Sequence, residues 1–229
     1  MSFIINRQEE SVTETHFTFA SSMHVCLEKA HIGILGGTFN PVHNAHLMMA
    51  CLALEEYDLE QVVLIPTGQP PHKDGEQIAS ASHRLAMLRC AVQGRPGLRV
   101  SPMEINRLGT TYTVDTLYQL HARQPALYSF IIGADTLCDL PNWKEIAKVC
   151  SLCDFIAFYR EGMDLEKTRL AKQYMEQTYG ARIRISRSKI PRISSTEIRQ
   201  RLLSGQSVSQ FVPKAVEQYL LTNEVYHAQ

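Results

Sequence analysis

His31-Ile32-Gly33-Ile34-Leu35-Gly36-Gly37-Thr38-Phe39-Asn40-Pro41-Val42-His43-Asn44-Ala45-His46 is the stretch from which the fold is read. Its first five residues form a short run that ends in glycine, as buried strands do. Similar runs recur at Gln61 to Ile65, Leu98 to Met103, Leu127 to Ile132, Phe155 to Tyr159 and Arg182 to Ile185. Between them, Leu47 to Tyr57, Ser82 to Gln93, Val114 to Arg123 and Leu165 to Tyr179 carry apolar residues three and four apart, the helical spacing. Strands alternating with helices predict an α/β fold: a doubly wound, mostly parallel sheet with helices on both faces. From Ser194 onward two more helices, joined near Gly205, read as a C-terminal helical cap. Residues 1–30 read as an N-terminal extension, in which Val12 to Phe19 alternates weakly, as an edge strand or a tail would. Residues 31–229 read as one domain.

Composition narrows the function from outside. The chain has 229 residues, with 23 Lys plus Arg against 23 Asp plus Glu. Zero formal charge argues against a general polyanion binder, so no nucleic-acid partner is expected and any anion site must be a local cluster. No apolar run approaches the roughly 18 residues of a transmembrane helix. The first residues lack a basic region followed by an apolar stretch, so they do not read as a secretory signal, and the expected location is the cytoplasm. Six cysteines, at 26, 51, 90, 138, 150 and 153, fit a reducing compartment. Cys150 and Cys153 form a C-x-x-C, readable as buried thiols, a redox pair or half a zinc site. No second pair stands at compatible spacing.

The double glycine lets the backbone come close to a ligand, and the helix that follows offers N–H donors and a positive dipole end. A phosphate is the natural guest, although neither a third glycine nor a P-loop ending is present. Alone, the segment is equally a plain strand-to-helix turn. His43 and His46, three apart, would share one face of a helical turn beside it. They could supply two zinc ligands, or a pair of imidazoles that donate to a phosphate as charge grows on its oxygens. About 150 residues later, Ile193-Ser194-Ser195-Thr196-Glu197-Ile198-Arg199 has capping-box spacing between Ser194 and Glu197, with hydroxyls at Ser195 and Thr196 and a guanidinium at Arg199. Arginine grips phosphate oxygens through two parallel hydrogen bonds.

GGTFNPVHNAHL and ISSTEIR together resemble the two signatures of the H-x-G-H nucleotidyltransferase superfamily. That resemblance implies transfer of a nucleotidyl group with release of pyrophosphate. Two positions depart from the pattern. Asn40 stands where aspartate is common, and is expected still to cap a helix. Ala45 replaces the glycine between the histidines.

Further stretches narrow the family. Ile65 to Lys73 (IPTGQPPHK) reads as a stiff loop delivering His72 and Lys73 to the same end of the sheet. Thr111-Tyr112-Thr113 opens a helix with Thr113 as the expected cap. Gly133-Ala134-Asp135 ends a strand, and Trp143 and Lys144 follow it. Trp143, the only tryptophan, is readable as core packing or as a ring that stacks on a pyridine. In this combination the chain is similar to the bacterial nicotinate-nucleotide adenylyltransferases from about residue 31 onward. The resemblance implies ATP and nicotinate mononucleotide as substrates, with a homo-oligomer left open. It places His43, His46 and Arg199 in catalysis. Gly36, Gly37, Thr38, Phe39, Lys73, Gly133, Asp135, Ile193, Ser194, Ser195 and Thr196 would hold ATP. Thr113, Trp143 and Lys144 would hold the mononucleotide. Mg²⁺ is expected to ride on ATP, since no carboxylate cluster offers it a cage. The alternatives are a relative acting on nicotinamide mononucleotide or another phosphate acceptor, and a regulator that binds the nucleotide without turning it over.

Overall fold

β1 (His31–Gly37) hydrogen-bonds on one side to β2 (Gln61–Pro66) and on the other to β4 (Leu127–Gly133). With β3 (Leu98–Val100), β5 (Asp154–Arg160) and β6 (Ile183–Ile190), it makes a six-stranded sheet in the order β3-β2-β1-β4-β5-β6. Every neighbouring pair is parallel. The architecture comes from a computed structural model and describes residues 29–69 and 78–226. The weakly alternating Val12 to Phe19, His72 and Lys73 lie outside the described residues.

The crossovers are α1 (Asn44–Tyr57), α2 (Ala81–Val92), α3 (Thr113–Arg123), α4 (Ile146–Leu152) and α5 (Leu165–Tyr179), and the cap is α6 (Ser195–Leu203) with α7 (Lys214–Thr222). Successive strand residues enter opposite cores. Phe130 and Ile132 of β4 pack with Val114 and Leu117 of α3, whereas Ile131 between them packs with the α1, α2 and cap side chains. Phe155 and Ile156 divide in the same way. That period-two division explains why these strands read as unbroken apolar runs: both faces are covered.

The bounds of α5 match the sequence reading, because Asp164 caps its start through Glu166 and Lys167 N–H and Gly180 ends it in a left-handed turn. Elsewhere the ends shift. Gly36 and Gly37 belong to the strand, paired with Ile65 and Pro66, so the turn proper begins at Thr38. β3 is shorter than Leu98 to Met103, and β6 longer than Arg182 to Ile185. Two 3₁₀ turns (Ala134–Cys138 and Leu140–Asn142) and α4 were not legible. Each is too short to show a period.

Strand order reverses at β1 and β4, where one crossover leads to β2 and the other to β5. Loops from the two halves part there, which leaves a crevice beyond the carboxyl ends of the strands. The glycines end β1 and Gly133 ends β4, so the fold delivers both predicted turns to that crevice.

Candidate active site

The two signature segments meet. Arg199 Nη1 donates to the Asn40 carbonyl at 2.9 Å, and Ser195 Oγ donates to the Pro41 carbonyl at 2.9 Å. Segments about 150 residues apart therefore form one wall, with Thr196 Oγ1 3.4 Å from Arg199 Nη2. Ile193 packs against the α1-side core and anchors that wall, and Ser194 precedes α6. The capping box is not formed: Ser194 makes no side-chain cap, and Glu197 instead pairs with Arg201 one turn on. The first N–H groups of α6, which lack intrahelical partners as at any helix start, are therefore not capped by the Ser194 side chain.

His43 is not on the helix. It precedes α1 in extended conformation (φ −143°, ψ 171°), yet its ring lies on that of His46, with centroids 3.6 Å apart and planes 17° from parallel. The His43 N–H donates to His46 Nδ1 at 3.2 Å. In a neutral ring the His46 proton then sits on Nε2, the nitrogen left to donate. His43 Nδ1 is buried with no hydrogen-bond partner. Burial, reinforced by the Arg160 guanidinium, lowers the His43 pKa to about 3. Burial, then His43 and Arg160, holds His46 well below its usual range. The two rings thus form a neutral pair in the free protein, able to donate N–H bonds without first carrying charge. No third ligand joins it: among the described residues no group of three His, Cys, Asp or Glu could hold a metal ion.

Asn40 does not cap a helix. Its Oδ1 accepts from Ala79 N–H at 3.0 Å and from the Tyr226 hydroxyl at 2.5 Å. Phe39, beside it, is buried in left-handed backbone (φ 51°) with its ring edge against His46. Thr113 is likewise no cap. α3 begins at Thr113 itself, after Tyr112, with no side-chain cap bond.

Thr113, Trp143 and Lys144 are brought to one cavity. A cavity of about 580 Å³ is lined by Gly36, Gly37, Thr113, Phe130, Trp143 and Lys144 among others. Trp143 is half-buried, edge-to-face with Phe130 at 5.7 Å. Lys144 Nζ stands 4.4 Å over the Tyr112 ring. Trp143 is thus packed on one side and lines the cavity on the other. A Cβ on Gly36 would come 2.9 Å from the Phe130 ring, so a side chain there would push that wall. Asp135 is held by Arg160 at 3.4 Å, and a Cβ on Gly133 would fall 2.3 Å from Asp135 Oδ1.

The cytidylyltransferase-like family model matches residues 34–201, the span that includes both signature segments. The chain belongs to the cytidylyltransferase-like family. A curated relative in Desulfitobacterium hafniense (strain Y51), named "Probable nicotinate-nucleotide adenylyltransferase", is 39% identical over 210 residues, 89% of this chain and 99% of its own. One of the same name in Lachnoclostridium phytofermentans is 35% identical over 196 residues, 85% of this chain and 98% of its own. Among solved structures, the nicotinic acid mononucleotide adenylyltransferase of Plasmodium falciparum, complexed with NaAD, superposes with a TM-score of 0.70 at 18% identity. The match covers 86% of this chain and 97% of that one, and shows a shared fold.

Three charged residues of this family member were not singled out from sequence. Arg84 is 2% exposed, and its guanidinium donates to the carbonyls of Ala79, Thr38, Thr67 and Gly68. It ties the loops after β1 and β2 together. Its signal was present: Arg84, Met87, Leu88 and Ala91 are one buried stripe of α2, with arginine where an apolar residue is expected. Arg160 ends β5, the end of a parallel strand at which ligands bind. Glu104 lines the cavity, with Oε1 accepting from Thr116 Oγ1 at 2.6 Å. Burial raises its pKa, against the pull of that bond and of Arg107. Nothing in its sequence surroundings marks it.

The C-x-x-C is a pair of buried thiols. Cys150 lies in α4 and Cys153 just beyond it, and burial raises both pKa values. Thiolate chemistry would need the opposite shift.

Proposed function

We infer that the chain transfers the adenylyl group of ATP to nicotinate mononucleotide, giving nicotinate adenine dinucleotide and pyrophosphate. The observation that carries this reading is the convergence of Arg199 and Ser195 on the Asn40–Pro41 backbone beside the stacked histidines. That wall suits a triphosphate, and the cavity bearing Trp143 and Lys144 adjoins it through Gly36 and Gly37. The relatives' names support the same acceptor.

In the reaction a phosphate oxygen of the mononucleotide attacks the α-phosphorus of ATP. The bond to the β-phosphate breaks, and its electron pair leaves with pyrophosphate. The nucleophile is already ionised at neutral pH, so no general base is required. Alignment and charge stabilisation carry the rate, and alignment alone is worth roughly 7–11 kcal/mol. His46, through Nε2–H, and His43 donate to the α-phosphate oxygens as charge grows there. Arg199, Ser195 and Thr196 hold the departing phosphates, with Lys73 as a further cation. Thr38, Phe39 and Ile193 shape the wall, and the first N–H groups of α6 after Ser194 face the anion. Gly133 and Asp135 meet the adenosine ribose. Thr113, Trp143 and Lys144 hold the pyridine nucleotide. The donors facing the phosphates are nitrogen and hydroxyl groups, which suits a Mg²⁺ that arrives on ATP rather than one caged by carboxylates. When bound, it draws charge from the phosphate oxygens. We read residues 31–229 as the catalytic unit and 1–30 as an extension of it. Among the described residues no helix is long and apolar enough to cross a membrane.

One observation favours a second acceptor. The Glu104 carboxylate lines the cavity and would accept an N–H of a carboxamide, which suits nicotinamide mononucleotide. Continuous pyrophosphate release with ATP and each of nicotinate mononucleotide, nicotinamide mononucleotide and phosphopantetheine separates these readings. A higher kcat/KM with the acid supports the first. A higher value with the amide transfers the assignment to the second. Release with none of the three leaves a nucleotide-binding regulator.

A further inference from the structure

The C-terminal cap grips the catalytic turn from behind, at two points. The Tyr226 hydroxyl donates to Asn40 Oδ1 at 2.5 Å, and both residues are buried, at 6% and 2% exposure. Four residues on, Asn44 N–H donates to the Phe211 carbonyl at 2.8 Å and Asn44 Nδ2 to the Gln210 carbonyl at 3.1 Å. Pro41, Val42 and His43 are strung between these anchors. On the other face of Asn40, its carbonyl takes Arg199 Nη1. One residue thus joins four parts of the chain: the turn after β1, the Ala79 backbone before α2, the arginine of α6 and the C-terminal segment after α7.

Tyr226 reaches this position through unusual backbone. Glu224 and Tyr226 both lie in the left-handed region (φ 48° and 73°), which bulky residues rarely enter. Burial raises the phenol's pKa, so it remains a donor through the working range. Together with the Ala79 N–H on the same oxygen, the hydroxyl holds the Asn40 side chain in one orientation. The backbone that follows carries His43, and the backbone carbonyl receives Arg199.

We propose that Tyr226 is a positioning residue for adenylyl transfer, which sets through Asn40 the placement of the turn that bears His43 and receives Arg199. The proposal rests on the adenylyl-transfer reading above. Tyr226 lies outside both signature segments and does not line the cavity that holds Trp143 and Lys144. Its effect is on alignment, so it falls on kcat rather than on acceptor binding. A misplacement of about 1 Å in such a site costs on the order of 10²-fold in rate.

The test is steady-state kinetics on the full chain, with melting temperature measured in parallel, for Tyr226→Phe, Asn40→Ala, the double variant and Tyr219→Phe. Tyr219 lies in the same cap, but its hydroxyl meets His83 Nδ1 at 2.9 Å, away from the turn. Tyr226→Phe is expected to lose about 10-fold or more in kcat, with KM for the mononucleotide within about twofold. The double variant is expected to be no worse than Asn40→Ala, since both deletions break one linkage. Tyr219→Phe is expected to keep the parental kcat. A folded Tyr226→Phe with parental kcat, whatever its melting temperature, overturns the proposal, as does simple additivity in the double variant. An unfolded Tyr226→Phe is replaced by Asn40→Ala, which removes the acceptor of the same bond; a kcat loss with unchanged KM supports the linkage, and parental kcat overturns it. An unsubstituted protein that releases no pyrophosphate defeats the adenylyl-transfer reading itself. An active protein with an equally active Tyr226→Phe defeats only this inference.

Discussion

The imidazoles of His43 and His46 stack at 3.6 Å, and the backbone N–H of the first donates to Nδ1 of the second. This one contact orients His46 Nε2–H without help from a carboxylate. His46→Ala should therefore keep the fold and lose at least about 10²-fold in kcat, the usual loss for one preorganised donor. Near-parental turnover in pyrophosphate release would remove His46 from the chemistry.

Acid should unfold this protein through the same pair. The His43 pKa is about 3 in the folded chain, below its unfolded value of about 6.5, so the unfolded chain binds more protons between those two values. Stability should be level above about pH 6.5 and decline as pH falls toward 3. Melting temperatures recorded from pH 8 to 4 check this, with His43→Gln expected to flatten the decline. A profile for His43→Gln as steep as the parent's would place the acid sensitivity elsewhere.

Arg84 should matter more to stability than any surface arginine. Arg84→Met fills most of the volume but strands four carbonyls in a buried site, at a cost of about 3 kcal/mol. Denaturant unfolding would show it as a lower midpoint with an unchanged slope. A variant as stable as the parent would mean that water replaces the guanidinium.

Gly133→Ala tests the ribose end of the site. The added Cβ meets the carboxylate of Asp135, whose side chain is 51% exposed and can swing away, rather than backbone. The Asp135–Arg160 pair should break, raising KM for ATP several-fold while melting temperature changes little. An unchanged KM for ATP would release Asp135 from its assigned role.

Much of this was local and hence readable in the chain. Apolar runs that alternate with helical spacing determine a parallel sheet covered on both faces, because no other arrangement hides both sides of each strand. The glycines of β1, the paired histidines and the ISSTEIR segment are contiguous, and contiguous chemistry survives as pattern. What tertiary structure alone decided was charge in unexpected places. An arginine in α2, a glutamate before α3 and an arginine at the end of β5 look like surface residues until the fold surrounds them. Only the folded chain could show that Asn40 meets Tyr226 rather than a helix end, that Glu197 turns to Arg201, and that the histidines are neutral. Each of these depends on which distant group excludes water from a polar atom, and sequence carries no record of that proximity.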